Sequence, residues 1–297
     1  MRPLLVWIPA ALLAAPAPPA QDSRSVFSRD NLVAWCIVPF DAAGRGPEQR
    51  AGMLKRLGIT RLAYDWREKD IPSFDAEAAA LARHGIRLHA FWLTSGPAPE
   101  SQKSVQTVLD FLKRRGRGTE IWYMFAPPKD FAALAQEAKV EMVSRAAGYL
   151  ASEAEQFGSR VGLYNHGGWF GEPDNQIAVI NRLGRKNVGI VYNFHHGREQ
   201  MDRFADLFGR MLPYLMAVNL NGMRAGGPMI LSLGEGDREA GMLRVIRDSG
   251  YRGPIGILGH RPEMDVEVCL RQNLDGLRKL LAQLGDQAAL RTYETVP

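Results

Sequence analysis

"MLKRLGITRLAYDW" at residues 53–66 and "ALARHGIRLHAFWL" at 80–93 are near copies, and their central glycines, Gly58 and Gly85, stand twenty-seven positions apart. In each, an amphipathic helical pattern stops at glycine and an apolar, aromatic-rich run follows at once. Glycine suits the left-handed residue that ends a helix, so the pair reads as helix, stop, strand, twice over. The rhythm recurs where Gly158 precedes RVGLYNHGG, Gly184 precedes VGIVYNFHHG and Gly250 precedes GPIGILGH. Helix starts are equally legible at Gly46-Pro47, Pro72-Ser73 and Asp237.

Working outward, apolar strand-like runs fall at 31–40, 61–66, 87–93, 120–126, 160–165, 188–193, 215–221 and 253–259. Eight strands, each followed by a helix-sized segment, predict an α/β fold, a single (β/α)8 TIM barrel over 31–285. A linker at 21–30 precedes it and a tail at 286–297 follows. The competing open, doubly wound sheet needs fewer units. No G-x-G-x-x-G opens the first helix, and no nucleotide cofactor is expected.

Residues 1–20, MRPLLVWIPAALLAAPAPPA, carry one charge, an apolar stretch from Leu4 to Ala15, then small residues and prolines. That is the pattern of a secretory signal peptide, so the chain is expected to be exported to a periplasmic or extracellular space, with no stable membrane insertion after cleavage. The formal charge of +5 is spread along the chain, and its short basic clusters sit where helices end, so no nucleic-acid partner is expected. Cys36 and Cys269 lie in apolar surroundings and read as two buried thiols.

In a parallel barrel the C-terminal strand ends open on one face, and that face carries the chemistry. His166, His195, His196 and His260 sit at or just beyond strand ends, as do Asn165, Asn193, Asn219 and Asn221, with Asp65, Glu172 and Glu235 among the nearby carboxylates. Trp169 falls in the loop that holds His166 and Glu172. Trp35, Trp92, Trp122 and His89 lie inside apolar strands and read as packing, whereas Glu235 is open between shaping a turn and binding a ligand, and Asp65 between an ion pair and a substrate contact. An imidazole, a carboxylate and an indole in one loop suit a sugar, whose C–H face covers a flat ring while its hydroxyls need polar partners.

At these residues the sequence resembles the xylose isomerase-like TIM barrels, the sugar phosphate isomerase/epimerase group that also includes 2-keto-myo-inositol dehydratase. The carriers are LYNHGGWFGE (163–172), VYNFHHG (191–197), NLNG (219–222) with LGEGD (233–237), and GYRGPIGILGH (250–260). The resemblance implies one divalent metal held by two Glu, one Asp and one His at strand ends, with an acid/base pair moving a proton beside a carbonyl. Here the corresponding positions are Tyr164, Asn193 and Asn219, with Asn221 two further on, and the last Glu has no match unless His260 replaces it. A rearranged Mn²⁺ or Zn²⁺ site would draw on Glu172, His166, His196 and His260.

The resulting expectation is an exported isomerase, epimerase or lyase acting on an unphosphorylated keto-sugar, keto-glycoside or polyol. His166 or His196 would be the base and Glu172 the partner acid. Trp169, Asn165, Asn193, Asn219, Asn221, His260, Asp65 and Glu235 would bind the small carbohydrate. Two other readings stay open: a non-catalytic carbohydrate-binding barrel, and a two-carboxylate glycoside hydrolase using Glu172 with Asp65 or Glu235.

Overall fold

Gly58 and Gly85 both adopt left-handed backbone, with φ of 65° and 69°, and each ends a helix just before a strand, as the repeated stretch requires. The computed structural model describes residues 24–116 and 118–294. The expected leader at 1–20 lies outside the described residues.

The strands are β1 (Leu32–Trp35), β2 (Arg61–Tyr64), β3 (Arg87–Ser95), β4 (Glu120–Phe125), β5 (Val161–Tyr164), β6 (Val188–Asn193), β7 (Leu215–Leu220) and β8 (Ile255–Leu258). All pair in parallel in chain order, and β8 closes on β1 through four residue pairs, Leu32 with Ile255 to Trp35 with Leu258. The outer helices are α1 (Pro47–Arg56), α2 (Phe74–Arg83), α3 (Lys103–Arg115), α4 (Gln136–Gln156), the short α5 (Gly168–Gly171), α6 (Pro173–Leu183), α7 (Phe204–Met211), α8 (Glu239–Asp248), α9 (Val266–Leu284) and α10 (Gln287–Arg291). The architecture is therefore a single (β/α)8 TIM barrel.

Two apolar layers hold it. The larger fills the space between strands and helices, as in the contacts among Phe74, Phe91 and Phe111. The smaller fills the cylinder itself with inward side chains from all eight strands, among them Val33, Ala63, Ala90, Trp122, Tyr164, Val191, Met216 and Leu258. Side chains alternate faces along a strand, so this layer fixes which residues look inward above it. Below it, Glu120 pairs with Arg160 and faces His89 at 3.7 Å. Burial lowers His89 to about 4, which leaves it a neutral part of the barrel floor.

The segments beside the barrel are packed where they are described. Phe27 is fully buried, Tyr293 donates its hydroxyl to the Phe27 carbonyl at 2.7 Å, and Ser25 donates to Asp286 at 2.6 Å. Residues 24–31 and 286–294 thus join under the N-terminal ends of the strands. Both cysteines are free and buried, as their apolar neighbourhoods imply.

Candidate active site

The strand ends β5, β6 and β8 deliver four histidines to the C-terminal mouth, and their rings form a continuous row. Ring centroids are 4.3 Å apart for His166 and His196, 3.6 Å for His196 and His195, and 5.7 Å for His195 and His260. Phe40, from the loop after β1, extends the row at 3.6 Å from His260. Crowding decides their charge. Burial first, then the neighbouring imidazoles, lower His196 to about 3 and His195 well below the ordinary histidine value, and burial with Arg67 lowers His260. At neutral pH these three are uncharged, so they donate and accept hydrogen bonds, and His195 and His196 are poor bases.

Beneath the row lies a ring of amides and one acid. Asn193, Asn219 and Asn221 are buried; both polar atoms of Asn219 and the Asn221 carbonyl oxygen have no protein partner, and the Asn193 carboxamide has only the Tyr164 hydroxyl beside it. Asp65 is 2% exposed and accepts from the Val38 N–H at 3.3 Å, and its Oδ2 is buried without a hydrogen bond of good geometry. Buried polar groups are rarely left this way, and so many on one face mark a surface that expects a polar guest or water.

The loops fill in the rest. The segment between β7 and α8 is organised by the buried Glu239, whose carboxylate accepts from the backbone N–H groups of Met223, Gly234 and Gly236 at 3.1, 3.0 and 2.8 Å. This segment also packs Ile230 onto the interior layer, as Phe40 and Trp92 do from other elements. A cavity of about 410 Å³ opens between these loops, lined by Glu172, His195, His196, Arg198, Gln200 and Met229. That is ample for one monosaccharide.

Several residues selected from the sequence are turned elsewhere. Trp169 donates its indole N–H to Gln136 at 2.7 Å and packs edge-on against Phe131, so it faces α4 rather than the mouth. Glu172 precedes α6 and is held by Arg203 at 2.7 Å and Gln200 at 3.0 Å, so its carboxylate is engaged at the cavity wall and is not a free acid. Asn165 spends its carboxamide on the Asn193 backbone, accepting from the N–H at 2.6 Å and donating to the carbonyl at 3.1 Å, which makes it a clamp between β5 and β6. Glu235 turns back to its own loop, accepting from the Ser232 N–H at 3.1 Å. Glu172 and Glu235, two of the carboxylates that a glycoside hydrolase reading would use, are thus held by other partners.

The same geometry bears on a metal. Tyr164 stands where the resemblance puts a carboxylate, its hydroxyl accepting from the Trp35 indole at 3.1 Å and its phenol kept protonated by burial. Neutral carboxamides occupy the next two ligand positions, and among the described residues no three His, Cys, Asp or Glu come together as a metal-binding group. The rearranged set is not assembled either, because Glu172 is drawn to Arg203 and the histidine rings pack tilted or edge-on against one another. These residues do not fit a divalent ion.

Phe40, which sequence reasoning passed over, and Trp92, which it read as packing, both lie against the inner apolar layer. Phe40 and Trp92 both sit under the Arg67 guanidinium, at 5.5 and 5.7 Å from their ring centres. Cys36 is the single non-glycine residue with positive φ among the described residues, at 55°. Only the YDW ending of the first repeat hinted at this side of the barrel.

Residues 52–284 match the family described as xylose isomerase-like TIM barrel. The chain belongs to that family. Solved structures agree at the level of fold. A xylose isomerase domain protein from Planctomyces limnophilus superposes with a TM-score of 0.65 at 16% identity, covering 87% of this chain and 99% of that one. A 3-keto-D-glucoside 4-epimerase from E. coli gives 0.65 at 16% identity over 84% and 99%. The IolI protein, solved with a bound zinc atom, gives 0.63 at 13% over 85% and 98%. No curated protein sequence matches the chain.

Proposed function

We propose that this xylose isomerase-like barrel is a sugar-modifying enzyme that moves a proton on the carbon next to a carbonyl of an unphosphorylated keto-sugar or keto-glycoside, without a metal. The observation that carries the reading is the row of neutral imidazoles over the buried carboxamides of Asn193 and Asn219, with the free carbonyl oxygen of Asn221 beside them. When a C–H bond beside a carbonyl breaks, charge develops on the carbonyl oxygen. Neutral N–H donors fixed in a buried site stabilise that charge and cost little reorganisation. The imidazoles and amides also suit hydroxyl groups, each of which both donates and accepts. Phe40 and Trp92, rather than Trp169, offer the apolar faces on which a pyranose ring would lie. The keto-glucoside epimerase among the structural relatives is consistent with this substrate class.

Export belongs to the same proposal. It rests on the apolar, proline-broken pattern of residues 1–20 and accounts for a mouth whose polar lining is mostly neutral. Fractionation of cells expressing the full chain tests it, with the protein expected outside the cytoplasm and shortened at its N-terminus.

The chemical test is hydrogen exchange. The mature protein is incubated with a 3-keto-glucoside in heavy water, and NMR follows loss of the signal from the protons beside the carbonyl. Enzyme-dependent exchange supports the reading. Saturable binding with no exchange leaves a carbohydrate-binding barrel in its place.

A further inference from the structure

Burial and crowding make His195 and His196 poor proton acceptors, and a buried carboxyl stands at the end of β2. We propose that Asp65, at the end of β2, is the group that takes the substrate proton and returns it, in a reactive pole formed with Cys36, Arg67, Phe40 and Trp92. The assignment rests on the sugar chemistry proposed above.

Four observations converge on it. Ala63 belongs to the layer inside the cylinder, and strand alternation puts Asp65 on the same inward side, one step nearer the mouth. Its carboxyl accepts from the Val38 N–H and has the Cys36 thiol beside it, and Oδ2 is buried without a hydrogen bond of good geometry. Among the described residues no cation forms an ion pair with it: Arg67 donates to the Trp66 carbonyl at 2.8 Å and lays its guanidinium over Phe40 and Trp92. Beside it, Cys36 is held in a left-handed conformation that costs a non-glycine residue on the order of 1–2 kcal/mol. Strain of this kind persists where the surroundings over-determine it, and it collects at functional sites.

The groups facing Asp65 set its proton affinity. Burial raises it to about 7, and Arg67, the Val38 N–H and Arg50 only partly offset that rise. The Cys36 thiol, kept protonated by burial and by Asp65 itself, and the protonated Tyr164 phenol add no charge. A carboxyl that populates both states near neutral pH can accept a proton and give it back.

The step balances within the substrate. Asp65 in its carboxylate form accepts the proton from the carbon beside the carbonyl, the C–H electron pair becomes the new C=C bond, and the carbonyl oxygen takes the negative charge. Arg67 and the mouth amides stabilise that oxygen. Return of the proton, or of a deuteron acquired from solvent, from Asp65 to the same face of that carbon restores the carbonyl.

The test uses the mature protein, the same 3-keto-glucoside exchange assay, and the variants Asp65→Asn and Asp65→Glu, with thermal melts and calorimetric binding as controls. Asp65→Asn is expected to bind the sugar within ~3-fold of wild type while exchange falls by ~100-fold or more, the range for loss of a general base. Wild type should show a limb near pH 7 in its exchange rate that Asp65→Asn lacks and Asp65→Glu displaces. Exchange within ~5-fold of wild type in folded Asp65→Asn would overturn the assignment while leaving the sugar chemistry standing; no exchange in wild type would remove both. Should Asp65→Asn fail to fold, wild-type protein carrying ¹³C at aspartate carboxyls decides, because sugar binding must shift the Asp65 signal and an unmoved signal overturns the proposal.

Discussion

Asn219 on β7 lays its carboxamide across the place where a Cβ on Gly256 of β8 would stand. The two residues are register partners, so the absence of a side chain on β8 is what lets Asn219 lie inside the mouth. Gly256→Ala must push that amide aside. It should destabilise the protein by ~1–3 kcal/mol, the usual cost of overpacking. It should also weaken sugar affinity well beyond the wild-type value at temperatures where the variant remains folded. Unchanged affinity by titration calorimetry would mean that Asn219 does not touch the ligand.

Trp169 and Trp92 separate packing from binding. Trp169 is pinned by Gln136 and Phe131, so Trp169→Ala should lower the melting temperature, by an amount equivalent to ~2 kcal/mol, and leave sugar affinity intact. Trp92→Ala should reduce affinity at least ~10-fold if the sugar lies on the aromatic surface proposed for it. The reverse order of effects would restore the tryptophan of the β5 loop as the stacking residue.

Asp65 and the histidines pull stability in opposite directions with pH. For Asp65 the folded value, about 7, exceeds the ordinary carboxylate value of 3.8, so the folded state holds the proton more tightly. Its contribution therefore falls as pH rises from about 4 to about 7, by up to ~4 kcal/mol in all, and then levels off. Asp65→Asn should gain stability relative to wild type across that window. Melting temperatures of both proteins from pH 4 to 8 check it, and a constant difference would refute the raised value.

His196, lowered to about 3, has the opposite sign: the unfolded chain binds the proton that the folded one refuses. Stability is then lost as pH falls below about 6.5, by up to ~1.4 kcal/mol per pH unit for each such histidine. His196→Gln should flatten the acid limb of the stability curve, and ¹⁵N spectra should show a neutral ring at pH 6. A protonated signal at that pH would contradict the crowding argument.

A site without a metal also makes a direct prediction. Prolonged dialysis against a chelator should leave hydrogen exchange on the keto-glucoside unchanged, and elemental analysis of active protein should give well under one equivalent of Mn or Zn. Loss of activity on dialysis, restored by adding either ion, would show that Glu172 and the histidines rearrange around it.

The barrel was legible because its punctuation is local. Gly58, Gly85, Gly158, Gly184 and Gly250 each report a helix end within one or two residues, and strand polarity then assigned His166, His196, Asn193, Asn219 and His260 to one face. What polarity cannot supply is the rotation of a loop side chain, which depends on partners far along the chain. Gln136, thirty-three residues away, turns Trp169 outward, and Arg203, thirty-one away, engages Glu172. Asp65 and Trp92 were visible but indistinct, because inside an apolar strand end nothing in composition separates a packed residue from one at the mouth. Cys36 gave no signal at all, since a strained φ leaves no trace in the residue's name.

The stitched ends have a practical consequence. Because Phe27 and Tyr293 meet beneath the cylinder, a tag, tether or partner domain attached at either end of the described chain would emerge from the base. Molecules anchored to a surface that way would all present their openings to the surrounding solution, and a chain re-cut in one of the upper loops with its old ends joined would have only a short gap to bridge.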